Sequence, residues 1–377
     1  MHIVHILKGK ANPETLNGVN KIVHWMATGQ TEQGHDVEVW GLTESPSNAR
    51  KGHYIYKLRL VPQLKLRYFV ADEIKKAVAE LDQNTWVHFH SVFAPEFPSI
   101  ARMLRERGMH YGVTPHGGYS PGVLLKDKRR KRIYMALRER GFVGGASWAQ
   151  ATGLGEVKDI LAVAPHAKVE LIPNGQERDL LAGVDVPKMA SEQPVIGYCG
   201  RLTIDQKGLD FLVPGFAAYK AKGGRGQLWL IGDDVDRPLV EQMAVDGNVK
   251  DDVRFFGAMT GVEKLKVIAN FDVFIHSSRW EGLPMACLEA ASLGKPLVVS
   301  RGTNLAEYVE RSGAGLVLDE TSAAGVTRAL DRVQELYEGG QIQQMSANAL
   351  SLIEKEFSWE ENARCFVAAV RAASPVV

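Results

Sequence analysis

The sequence predicts an α/β fold of two doubly wound, Rossmann-like domains that face each other across a cleft. Three observations carry this expectation. Short β-branched runs alternate with longer stretches of helical periodicity along all 377 residues. The connections between them are short, as in parallel sheets covered by helices on both faces. The length suits two domains of roughly 150 residues, and Gly183–Pro187 with Ser191–Pro194 reads as a linker between two such runs.

In the first run, Ile3–Leu7, Val37–Trp40, Trp86–His90, Tyr111–Thr114 and Val169–Ile172 read as strands, with helical segments at Val19–Gln33, Glu73–Leu81 and Ile100–Arg107. The second run places strands at Val195–Cys199, Gln227–Ile231, Val253–Phe256, Val273–His276, Pro296–Val299 and Gly315–Leu318. Its helices fall near Gly208–Lys222, Val262–Ala269, Pro284–Leu293 and Ala323–Tyr337, and a last helix lies near Trp359–Ala373. The expected domains are residues 1–185 and 190–357. In open sheets of this kind ligands bind beyond the carboxyl ends of the strands, so the loops there are where chemistry is sought.

Composition removes several function classes. The chain is 45% hydrophobic, which excludes disorder. With 45 Lys and Arg against 44 Asp and Glu it has no overall nucleic-acid footprint. Cys199, Cys287 and Cys365 are odd in number and far apart, which argues against a disulfide scaffold or a zinc site and for a reducing setting. No apolar run approaches the roughly 20 residues of a spanning helix. The start, Met1 to Leu7, reads as a strand rather than a leader, so a cytoplasmic protein is expected. The charge is uneven: residues 1–190 hold 26 Lys and Arg against 19 Asp and Glu, and residues 191–377 hold 19 against 25. Six of the seven residues 126–132 are basic: Lys126, Lys128, Arg129, Arg130, Lys131 and Arg132. Such a run is either a solvated helix face or a contact for anionic lipid or phosphate.

Three loops of the second half suit a nucleoside diphosphate. Gly200-Arg201-Leu202-Thr203 and Lys207-Gly208 pair two cations with a helix start, where backbone amides attract anions. Ser300-Arg301-Gly302-Thr303-Asn304 leads into a second helix with Thr303 or Asn304 as a candidate N-cap. In Trp280-Glu281-Gly282-Leu283-Pro284-Met285, Pro284 suits a helix's first turn, leaving Glu281 in the loop and Glu289 within the helix. Two carboxylates so placed can accept hydrogen bonds from hydroxyls at two points of an extended ligand.

Glu281 and Glu289, preceded by Gly200-Arg201-Leu202 and Lys207-Gly208, resemble the retaining GT-B glycosyltransferases of family 4, of the bacterial surface-polysaccharide type. Asn17-Gly18-Val19, Gln33-Gly34-His35-Asp36-Val37, Thr114-Pro115-His116-Gly117 and Ile172-Pro173-Asn174-Gly175 extend the resemblance over nearly the whole chain. It implies an acceptor-binding first domain, a donor-binding second domain, and a last helix (358–377) crossing back onto the first. It implies that Arg201 and Lys207 neutralise the departing diphosphate, a large catalytic contribution. Glu289 would bind the ribose hydroxyls and Glu281 those of the donor sugar, with the Gly282–Met285 amides assisting. His116 would lie at the donor sugar, Gly18 would leave room for the diphosphate, and Thr303 and Asn304 would present a helix end to the phosphates. The base would lie near Phe256-Gly257-Ala258. Transfer with retention, UDP as carrier, and neither cofactor nor metal are further implications. Asp233, Asp234 and Asp236 contain an Asp-x-Asp pattern and are read as capping or ligand-edge residues.

His88 and His90 share a strand face, with His90 at its carboxyl end as an acceptor candidate; His2 and His5 fall on opposite faces and are assigned nothing. Trp25 is expected in the core and Cys287 as a small apolar filler. With Lys128, Arg129, Arg130 and Lys131, the basic run suggests peripheral contact with anionic membrane and a lipid-linked saccharide or lipopolysaccharide acceptor. Three rival functions are weighed. A nucleotide-sugar epimerase of the same fold would need no acceptor. A catalytically silent binding subunit fits poorly with the four charged residues of the loops. A dehydrogenase lacks G-x-G-x-x-G after the first strand.

Overall fold

The structure, a computed structural model, describes residues 1–13, 17–46, 54–64, 68–125, 127–189, 191 and 193–373. The chain forms two compact units: Met1–Gly175 with Trp359–Val377, and Gln176–Ser358. The division falls some residues before the expected 185–190 break, and the expected linker belongs to the second unit; residues 190 and 192 of it lie outside the described residues.

Among the described residues the first unit carries seven strands: β1 (His2–Lys8), β2 (Asp36–Thr43), β3 (Lys57–Pro62), β4 (Trp86–His90), β5 (Tyr111–Thr114), β6 (Trp148–Ala151) and β7 (Val169–Leu171). They lie parallel in the order β3-β2-β1-β4-β5-β6-β7, so the order reverses between β1 and β4. Strands β3 and β6 escape the sequence reading. Trp148–Ala151 is wholly buried, so its burial leaves no polar alternation to see. Lys57-Leu-Arg-Leu is an edge strand whose cations pair with Asp36 and Glu38 of β2.

The helix Trp359–Ala373 packs on this first sheet, as the crossing-back expectation requires. Phe366, Val367 and Val370 are buried against Ile3, Met26, Trp86 and Trp148. Filling such an apolar slot is worth about 1.5–3 kcal/mol for each large side chain.

The second unit has six parallel strands: β8 (Val195–Cys199), β9 (Gln227–Ile231), β10 (Val253–Gly257), β11 (Val273–His276), β12 (Leu297–Val299) and β13 (Gly315–Val317). Their order is β10-β9-β8-β11-β12-β13, reversing between β8 and β11. Trp229, Phe271, Phe274, Cys287 and Leu288 fill the core on one face, and Tyr198, Leu212, Phe216 and Leu230 on the other. Cys287 is the small buried filler expected, whereas Trp25 is only half-buried and edges the ring of His24 at 4.8 Å. The helices Arg237–Asp246 and Ile342–Glu356 are additions to the sequence reading. Among the described residues, no helix is long and apolar enough to cross a membrane.

Candidate active site

The reversal between β8 and β11 brings the loops after those two strands together at the carboxyl edge of the second sheet, where a ligand crevice is expected. Lys207 and Gly208 close the loop after β8 with a short turn. Gly208 has φ +64°, and a Cβ there would meet the Ser277 carbonyl at 2.3 Å, so this close approach needs glycine. Ser277 Oγ donates to the carbonyls of Lys207 and Gly208 at 3.1 and 3.0 Å and locks the two loops. Arg279 adds a clamp, with a two-pronged ion pair to Asp210 at 2.9 and 2.6 Å and a hydrogen bond to the Ile204 carbonyl.

Inside that frame Lys207 Nζ donates to Glu281 Oε1, and both side chains are about nine-tenths buried. Glu281 Oε1 also accepts from Ser278 Oγ at 2.9 Å and lies 3.3 Å from His276 Nε2. Burial pushes the Glu281 carboxyl up, but the Lys207 charge and the His276 contact outweigh it and hold the group at about 2. Burial lowers His276, so its neutral ring donates to the carboxylate. Gln206 extends the cluster: its amide oxygen accepts from Arg201 Nη2 at 3.0 Å, and its nitrogen donates to the Trp280 carbonyl at 3.3 Å. Arg201 itself is exposed and lies 3.9 Å from Asp234. The structure thus brings Arg201, Lys207 and Glu281 into one hydrogen-bonded group, one cation open to solvent and one buried.

Glu289 stands in the helix Met285–Ser292, buried, with Lys264 of the helix Gly261–Ala269 donating to its Oε2. Pro284 is the cap residue of the Met285–Ser292 helix, and the first amides after it have no intrahelical acceptor. Gly282 is half-buried and Leu283 buried at its entry. Gly200 passes Gly232 so closely that a Cβ on Gly232 would fall 1.8 Å from the Gly200 carbonyl oxygen. Phe256 is half-buried under the Arg254 guanidinium at 4.6 Å, and Gly257 follows with φ +72°.

Several expectations are corrected here. Neither Thr303 nor Asn304 is a helix N-cap: the helix Ala306–Ser312 is capped at Leu305. Thr303 is buried, its hydroxyl donating to the Ser300 carbonyl at 2.7 Å. Asn304 sits in the left-handed region at φ +56° and donates to the Glu281 carbonyl at 2.8 Å. With Glu281 N–H donating to the Gly302 carbonyl at 2.8 Å, this loop braces the Glu281 backbone. Arg301 turns away to Glu310 at 2.8 Å. The aspartates have partners of their own: Asp236 accepts from Ile204 N–H at 2.9 Å, and Asp233 pairs with Arg237 at 3.3 Å.

In the first unit His116 lies just past β5 with φ +53°, a strained position for a residue other than glycine. Its ring stacks on His90 at 5.4 Å, and burial pushes its pKa down to about 3. Glu156 holds the following backbone, accepting from Gly117 N–H at 2.5 Å and from Thr152 N–H at 2.8 Å. Gly18 opens the helix Gly18–Glu32, and a Cβ there would meet open space. Of the basic run, Lys126 lies outside the described residues, and Lys128, Arg129, Arg130 and Arg132 are exposed. Lys131 is not: it is half-buried, donating to the Val123 carbonyl and standing 5.6 Å over the Phe93 ring.

Sequence reasoning missed Lys264, Gln206, His276, His5 and Glu156. Lys264, Gln206, His5 and Glu156 become visible only through partners 25 or more residues away, and His276 through Glu281, five residues on.

A family model described as glycosyl transferases group 1 matches residues 193–335, and one described as glycosyltransferase family 4 matches residues 16–179. The chain is 28% identical over 254 residues to a putative glycosyltransferase, EpsF, of Bacillus subtilis, covering 65% of this chain and 64% of that protein. It is 28% identical over 168 residues to a lipopolysaccharide core biosynthesis glycosyltransferase, LpsE, of Rhizobium meliloti, covering 44% of this chain and 47% of that one. These matches therefore span less than two thirds of either relative. Among solved structures, the Anabaena protein HepE in complex with UDP superposes with a TM-score of 0.72 at 15% identity, over 99% of this chain and 100% of that one.

Proposed function

Because the chain belongs to glycosyltransferase family 4 and has the GT-B fold, we propose that it transfers a sugar from a nucleoside-diphosphate sugar, with UDP as carrier, to a saccharide or lipid-linked saccharide. The product belongs to polysaccharide or lipopolysaccharide biosynthesis, as the names of EpsF and LpsE suggest for those relatives. Transfer proceeds with retention and without a metal. The observation that carries this reading is the Lys207–Glu281 pair, buried at the β8/β11 reversal with Arg201 beside it.

In this reading Lys207 and Arg201 face the diphosphate and stabilise the charge that grows on it as the sugar departs. Glu281, ionised at any working pH, accepts hydrogen bonds from donor-sugar hydroxyls while Lys207 holds its other face. Glu289 takes the ribose hydroxyls, and His116 contacts the donor sugar. The cations stand where a divalent ion would otherwise act, and Asp233 and Asp236 already serve the protein. A screen of nucleotides and nucleotide sugars by thermal shift and hydrolysis tests the reading. UDP or a UDP-sugar near 100 times its dissociation constant is expected to add about 2.7 kcal/mol, and hydrolysis should persist in EDTA. Silence towards every nucleotide would sink it, and a 2-epimer formed from a UDP-sugar alone would establish the epimerase instead.

The acceptor side is read as membrane-facing. Leu125, Ile133 and Leu137 are 65%, 62% and 76% exposed beside the exposed Lys128, Arg129, Arg130 and Arg132. Residues 129, 133 and 137 follow one another at helical i,i+4 spacing, an arrangement that suits an anionic bilayer surface. Replacing Arg129, Arg130 and Arg132 together by glutamine is expected to weaken sedimentation with anionic vesicles about 10²-fold, at about 1 kcal/mol for each cation. Unchanged sedimentation would return the run to a solvated face.

A further inference from the structure

Three histidines of the first unit form one hydrogen-bonded row. His5 Nε2 meets Gln30 Oε1 at 2.7 Å, His5 Nδ1 meets His90 Nε2 at 2.9 Å, and His90 Nδ1 meets His116 Nε2 at 3.1 Å. Gln30, His5 and His90 are wholly buried. Burial holds His5 at about 4, His116 at about 3 and His90 well below its ordinary value, so all three rings are neutral at neutral pH.

A neutral imidazole has one N–H and one lone pair. Each contact in the row needs one of each, so the three rings must share a tautomer. If all carry the proton on Nε2, Gln30 Oε1 accepts at one end and His116 Nδ1 is a bare lone pair at the other. If all carry it on Nδ1, the Gln30 amide is turned over and His116 Nδ1 becomes a donor. Gln30 Nε2 and His116 Nδ1 have no partner among the described residues. Turning the amide exchanges one unpaired amide atom for the other, so both polarities keep every contact within the row. A ligand meeting His116 Nδ1 can therefore select between them.

The neighbouring His88 is a contrast. Its Nε2 meets Thr114 Oγ1 at 2.7 Å, Thr114 donates to Gln150 Oε1 at 2.8 Å, and Gln150 Nε2 donates to the Ile172 carbonyl at 2.8 Å. A main-chain carbonyl can only accept, so this branch has one polarity and His88 is protonated on Nε2.

We propose that Gln30, His5, His90 and His116 act as one polarity relay, which takes the tautomer demanded by the ligand atom at His116 Nδ1 and holds that ring in place. The assignment of His116 to the donor sugar rests on the function proposed above; the coupling of the row does not. His116 is the contact residue, and His5, His90 and Gln30 position it. The row is not a base: burial already holds the His116 ring at about 3, so a proton added there would create a poorly solvated imidazolium.

Long-range ¹H–¹⁵N spectra of the full chain with ¹⁵N-labelled histidine read the tautomers directly. His5, His90 and His116 are expected to show one common tautomer at pH 7, and His88 the Nε2–H form, with or without UDP-glucose. A mixed set among the three, or an imidazolium among them, would overturn the relay. His90→Phe should release His116 into an independent tautomer mixture and lower kcat/KM for donor turnover about tenfold, the worth of one hydrogen bond, with His90→Gln, which both donates and accepts, recovering most of it. Where His90→Phe does not fold, Gln30→Met, which keeps length and removes the amide, serves the same spectrum: loss of the common state in His5 supports the relay, and no change overturns it. A common tautomer that UDP-glucose leaves unmoved counts for the relay and against that donor contact, so the two readings fail separately.

Discussion

Lys207→Ala is expected to lower kcat/KM for donor turnover by about 10²–10³-fold, the usual cost of removing one group that stabilises charge in the transition state. The same change is expected to cost about 3–5 kcal/mol of stability, because it leaves a buried carboxylate without its cation. Both effects follow from one geometry, the Lys207–Glu281 pair with each side chain about nine-tenths buried. A double variant separates them. Lys207→Met with Glu281→Gln has nearly the same volume and no charge, so it should recover most of the stability and none of the turnover. The pH dependence supplies a second check. Glu281 is held at about 2, below its ordinary value of 4.5, so its contribution is full above about pH 4.5 and is lost as pH falls towards 2. Without Lys207 that carboxyl rises, and the deficit of the variant against wild type should shrink below pH 4. Denaturant titrations at pH 7 and pH 3.5 measure it. Turnover within threefold of wild type would remove Lys207 from the diphosphate site.

Much of this site was legible in the sequence because its members lie in short loops that follow strands. Arg201, Lys207, Glu281 and Gly282 each sit one loop beyond an apolar run, and the reversal of strand order does the rest. What stayed hidden is what burial and distance control. Lys264 looks like any helix lysine until Glu289, 25 residues on, is seen beside it. His5 alternates with Val4 and Ile6 in a run that reads as plain strand, yet its ring joins His90, 85 residues away. Thr303 and Asn304 carry the residue types of a helix cap, but Leu305 caps the helix; Thr303 closes its own loop on the Ser300 carbonyl and Asn304 braces the Glu281 loop instead. Lys131 shares its composition with the exposed cations around it, and only the turn of the helix points it inward to Val123. Local pattern reports where a loop lies; it does not report which side chain another loop claims.

Lys264→Ala tests the second buried pair, and here stability and binding should move together. The Lys264 and Glu289 residues are 6% and 9% exposed, so removing the ammonium is expected to cost about 3–5 kcal/mol. A carboxylate left in that position without its cation turns towards water. That movement spoils it as an acceptor for two ribose hydroxyls, so affinity for UDP should fall about tenfold, close to 1.4 kcal/mol. Glu289→Gln keeps the shape, loses the charge and should weaken UDP by a similar factor, while still leaving Lys264 a hydrogen-bond acceptor. Titration calorimetry with UDP and thermal melts on both variants give the comparison. If both lose stability and bind UDP as the wild type does, Glu289 is a strut between the helices Gly261–Ala269 and Met285–Ser292 and no ribose ligand. If Glu289→Gln loses affinity with its melt nearly unchanged, the carboxylate meets the nucleotide directly and Lys264 is there to hold it in place.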